Sequence, residues 1–97
     1  MSTFIIMMKL TEQGAKNIKD APARIEAGIK GWEAMGGKML SFYITMGEYD
    51  YIAVGEAPSD EVAAAFVLSL GALGNVHTTT LKAFPSEQFA NIVKMLP

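Results

Sequence analysis

Residues 3–10, TFIIMMKL, are apolar at odd and even positions alike. That pattern predicts a β-strand covered on both faces. Thr11 then offers a helix cap ahead of EQGAKNI. A second helix start follows at Asp20, with Pro22 in the opening turn, where a missing N–H is tolerated. From there Ile25, Ile29, Trp32 and Met35 recur at helical spacing, which puts Trp32 on a core-facing stripe. Gly36-Gly37 supplies the stop, because glycine accepts the left-handed cap conformation.

The second strand is expected at about 38–46. Leu40, Phe42, Ile44 and Met46 share one parity; Met39, Ser41, Tyr43 and Thr45 share the other. MGEYDY leads into a third strand at about 50–56, with Ile52 and Val54 on one face and Tyr51, Ala53 and Gly55 on the other. The aliphatic parity of each strand is expected to meet the helices, which leaves Met39, Tyr43 and Tyr51 on the opposite face. Pro58-Ser59-Asp60-Glu61 opens a further helix: Ser59 can cap it, and two acids occupy its first turn. Val62, Phe66, Leu70 and Leu73 form its stripe. The far side holds only Ala64, Leu68, Gly71 and Ala72, so this helix is expected to be covered on more than one side. Residues 75–84 read as a β-branched fourth strand. Pro85-Ser86-Glu87 opens a last helix, with Phe89, Ile92, Val93 and Leu96 as its expected buried stripe.

The order strand, helix, strand, strand, helix, strand is that of a ferredoxin-like βαββαβ sandwich, here with an added C-terminal helix. It predicts an α+β fold in which helices cover one face of a four-stranded antiparallel sheet. The other face would be apolar and bare, which a monomer rarely tolerates. Two such faces meeting across a twofold axis would make a dimeric α+β barrel, so the chain itself is the first expected partner. The 97 residues suit a single domain over 1–97.

Composition narrows the chemistry. A net charge of −2 provides no basic footprint for nucleic acid or for an anionic membrane surface. The run FIIMM has no basic leader and is too short for a signal-peptide core, so a cytoplasmic location is expected. With no cysteine and one histidine, a bound metal is not expected. Neither GxGxxG nor GxxxxGK[ST] is present, so no flavin, nicotinamide or other cofactor is expected.

Gly47, Tyr49 and Asp50 in GEYD, together with TEQGAKNIKD, GGKMLSFYITMGEYD, EAPSDEVAAAF and LGNVHTTTLKAF, resemble the GYD-domain family. The resemblance implies a dimeric α+β barrel and no particular reaction. The residues themselves leave the chemistry open. Asp50 is either a turn carboxylate that binds backbone N–H groups or a general base. His77 is either an ordinary strand residue or a proton carrier, a task suited to histidine near neutral pH. Tyr43, Tyr49 and Tyr51 either pack between sheets or line a substrate pocket. The chain is thus expected to be an oligomer that binds, or without a cofactor transforms, a small aromatic or lactone-like molecule. The alternative is a non-catalytic assembly or ligand-sensing module.

Overall fold

A computed structural model describes residues 1–97. β1 (Ser2–Leu10) has its even residues Phe4, Ile6 and Met8 buried and its odd residues Thr3, Ile5 and Met7 half-buried. Thr11 caps α1 (Glu12–Lys16), its hydroxyl oxygen accepting from the Gly14 N–H at 3.1 Å. A short 3-10 turn leads into α2 (Ala21–Ala34), which carries proline in its first turn. β2 (Lys38–Ile44) and β3 (Tyr51–Ala57) form a hairpin. Ser59 caps α3 (Asp60–Leu73) by accepting from the Val62 N–H at 3.2 Å. That helix closes on Gly74, whose φ of 81° lies in the left-handed region that favours glycine. β4 (Val76–Ala83) follows, then a 3-10 turn and the short α4 (Phe89–Val93).

The strands lie in the order β2-β3-β1-β4, and every neighbouring pair is antiparallel. This is the ferredoxin-like α+β arrangement. α2 and α3 cover one face. Their Trp32, Ala63 and Phe66 form the core with Phe4, Ile6 and Met8 of β1 and Tyr51, Ala53 and Ala57 of β3. No helix is long and apolar enough to cross a membrane.

The third strand faces the other way from the sequence expectation. Tyr51 pairs with Met8 and Ala53 with Ile6, so Tyr51, Ala53, Gly55 and Ala57 face the helices. Ile52 and Val54 face the open side. Size explains the inversion. The indole of Trp32 lies so close over Gly37 and Gly55 that a Cβ at Gly55 would fall 2.9 Å from Nε1. A ring of that size from α2 needs small residues beneath it, and Ala53, Gly55 and Ala57 supply them. The more apolar parity is displaced to the other face.

Met39 is also on the helix side, opposite Gly55, because the register shifts between Met39 and Ser41. Past this irregularity Phe42 faces the helices and Tyr43 the open side. Two further expectations fail within the single chain. α3 buries Ala63 and Phe66 but leaves Ala64, Leu68 and Ala72 exposed. The stripe Phe89, Ile92, Val93 and Leu96 is exposed, as are all of residues 86–97. The molecule is elongated, 50 × 30 × 19 Å.

Candidate functional site

The GEYD tip is a clasp. The Asp50 N–H donates to the Met8 carbonyl at 2.8 Å, and the Asp50 carbonyl accepts from the Thr45 N–H at 2.8 Å. Its carboxylate Oδ2 accepts from the Leu10 N–H, also at 2.8 Å. The Thr45 hydroxyl donates to the Tyr49 carbonyl. One residue thus closes the β2–β3 hairpin and fastens it to the end of β1. Gly47 opens the tip with φ 113°. Asp50→Ala should lower the unfolding free energy by about 1–3 kcal/mol, since the Leu10 N–H loses a charged acceptor. Urea denaturation followed by circular dichroism measures this, and an unchanged midpoint would contradict the clasp.

The other sequence candidates do not converge. Tyr49 is half-buried at the tip, with the Lys9 Nζ 5.5 Å from its ring centroid, and Lys9 also approaches Glu48 at 3.6 Å. His77 pairs with Lys9 across β1–β4, so it stands on the open face. Tyr43 is on that face too, 61% exposed. Tyr51 is 7% exposed and lies in the core on the opposite side, its ring 5.7 Å from that of Phe42. No group of three or more His, Asp or Glu side chains is placed to hold a metal ion.

An apolar concavity lies on the helix side. α2 presents Ala21, Ile25, Gly28 and Gly31 toward α3, which presents Phe66, Leu70 and Leu73. The small residues on α2 cannot fill the space between the helices. A cleft of about 420 Å³ remains over Ile6, Met8, Phe42 and Tyr51 of the sheet, with Val76 at one end. Of the sequence candidates Tyr51 lines it, and three further polar side chains, Arg24, Ser69 and Asn75, stand on its wall without having been candidates from the sequence. The Ser69 hydroxyl donates to the Phe66 carbonyl at 2.6 Å, and Asn75 Oδ1 accepts from Gln13 Nε2 at 3.0 Å. Arg24 donates from Nη1 to the Asn17 carbonyl at 2.8 Å and from Nη2 to the Gly14 carbonyl at 3.4 Å. The sequence signal for it is that Arg24 is the chain's one arginine and lies one turn into α2, next to Ile25.

Residues 4–93 match the GYD domain family model. The chain belongs to the GYD domain family. It is 35% identical over 86 residues to a Thermus thermophilus protein named glutamine synthetase and cystathionine beta-lyase binding protein, a match covering 88% of this chain and 90% of that one. Among solved structures, a feast or famine regulatory protein from M. tuberculosis, complexed with L-methionine, superposes with a TM-score of 0.66 at 17% identity. The match takes in 89% of this chain and 52% of that regulator, so the chain spans about half of its length. A crystal structure of a protein from Thermus thermophilus superposes at a TM-score of 0.57 and 20% identity, covering 89% of this chain and 96% of that one. At these identities the two structures establish the fold alone. Gly47, Tyr49 and Asp50 of GEYD, which carry the resemblance in the sequence, are residues of the clasp.

Proposed function

We propose that this protein is a homo-oligomeric binding module that takes a small apolar organic molecule into the α2–α3 cleft without transforming it. The observation that carries this reading is the cleft itself. It is apolar, of a size typical for small-molecule sites, and bordered by a few polar groups, the usual composition of such sites. Binding is favoured over catalysis by where the candidate catalytic groups lie. The carboxylate of Asp50 is engaged by the Leu10 N–H, and His77 projects from the face opposite the cleft. The Thermus relative is likewise named for binding, not for a reaction.

What supports an oligomer is the open face. Ile5, Met7, Tyr43, Ile52, Val54 and Leu81 stand on it together. A second copy packed there would bury an area on the order of the ~800 Å² per partner found in stable interfaces. The outer face of α3, with Ala64, Leu68 and Ala72 exposed, favours a second role, contact with a protein partner of the kind the Thermus relative is named for.

Leu70→Trp tests the reading. The indole should fill the cleft from α3 and weaken binding of 1-octanol, a neutral apolar probe, at least about tenfold, which is the loss expected when roughly 1.4 kcal/mol of contact is denied. Isothermal titration reads the affinity, and circular dichroism checks that the fold is kept. Undiminished octanol binding in a folded variant would refute the cleft as the site. A partner contact through the outer face of α3 would survive this substitution.

A further inference from the structure

We propose that the ligand of the cleft is an anion: a monocarboxylate with an apolar body, whose carboxylate is received by Arg24. The inference deepens the binding function proposed above and rests on it. Arg24 is the only charged side chain on the cleft wall, and no Asp or Glu lines it. The residue is half-buried. The ion pairs of the molecule join Lys9 with Glu48, Lys30 with Glu26 and Lys82 with Asp60; none includes Arg24. Its partners are the neutral Asn17 and Gly14 carbonyls. Those bonds orient the planar group and leave N–H donors in hand, since a guanidinium carries five. An oriented fork with spare donors suits a carboxylate, which it can hold through two parallel bonds.

The rest of the wall is dominated by apolar side chains such as Ile6, Met8, Phe66 and Leu70, so the remainder of the ligand is chiefly hydrocarbon, aliphatic or aromatic. A cationic ligand would meet Arg24 with no carboxylate to offset it. A dicarboxylate would bury a second charge in an apolar wall.

The test compares acid and alcohol of the same skeleton on the full-length protein by isothermal titration: octanoate against 1-octanol, and 3-phenylpropanoate against 3-phenylpropanol. Each acid should bind about tenfold or more tightly than its alcohol, the preference expected of one charge-assisted hydrogen-bonded pair. The preference should collapse toward unity in Arg24→Met, which keeps the stem and removes the charge, while alcohol affinity stays. Raised salt on the unmodified protein should weaken the acids and spare the alcohols, a readout that holds if Arg24→Met fails to fold. The pair that binds best reports whether the hydrocarbon is aliphatic or aromatic. Equal affinity of acid and alcohol, or a preference that survives in Arg24→Met, would overturn the anion assignment and leave the cleft as a neutral apolar site. No binding of either acid or either alcohol would overturn both.

Discussion

Replacing Trp32 with alanine should lower the free energy of unfolding by about 3–5 kcal/mol, the range for truncating a buried large aromatic. Trp32 is 1% exposed. Its ring stands edge-on to Phe66, centroids 5.1 Å apart, and covers Gly37 and Gly55. Glycine has no side chain with which to refill the space, so the sheet cannot collapse into the vacancy. The loss is tempered by one release: the indole N–H is buried without a partner, and alanine removes that desolvated donor. Against a total stability of about 5–15 kcal/mol for a domain, the variant should be close to unfolding. The substitution removes the single tryptophan, so circular dichroism in urea is the suitable probe. A loss below about 1 kcal/mol would be at odds with a packed core pivot.

With the open sheet face as the proposed interface, Ile52→Asp should yield a monomer. Ile52 lies between Met7 of β1 and Tyr43 of β2 in the register, at the middle of the open face. A carboxylate there is solvated in the monomer and stranded in a sheet-to-sheet interface, where an unpaired charge costs several kcal/mol. Sedimentation should give the unmodified protein at no less than twice its chain mass of 10.4 kDa, and the variant at the chain mass. Tyr51→Asp, one residue away, should instead unfold the chain, because Tyr51 belongs to the core. A stable monomer of the unmodified protein at micromolar concentration would remove the basis for the interface.

Element order and the caps at Thr11 and Ser59 can be read from local sequence, since each acts within a turn of its own position, although the helix start read at Asp20 makes no side-chain cap. The facing of β3 cannot. Strand parity alone favours Ile52 and Val54 as core, and only the bulk of Trp32, arriving from a helix some twenty positions earlier, reverses that. The register shift between Met39 and Ser41 is equally hidden, because it arises from pairing and not from any turn residue. At the site, Asp50 is recognisable as special, and its backbone role is one of the two readings open to it. A parity argument that the sheet does not obey places Tyr43 on one face with Tyr51, whereas His77 is a candidate only for its chemistry. The cleft is invisible for a different reason. It is defined by what is missing, Ala21, Gly28 and Gly31 along one face of α2, and small residues in a helix announce close packing as readily as a gap.

Whether the α2–α3 cleft is a binding site can be decided by methyl NMR of the full chain titrated with 1-octanol. Resonances of Ile25, Leu70 and Val76, which line the cleft, should shift together and saturate. Those of Ile5 and Leu81, on the open sheet face, should stay in place. Shifts confined to Ile5 and Leu81, or no saturable shift at any of the five residues, would contradict the cleft as the binding site.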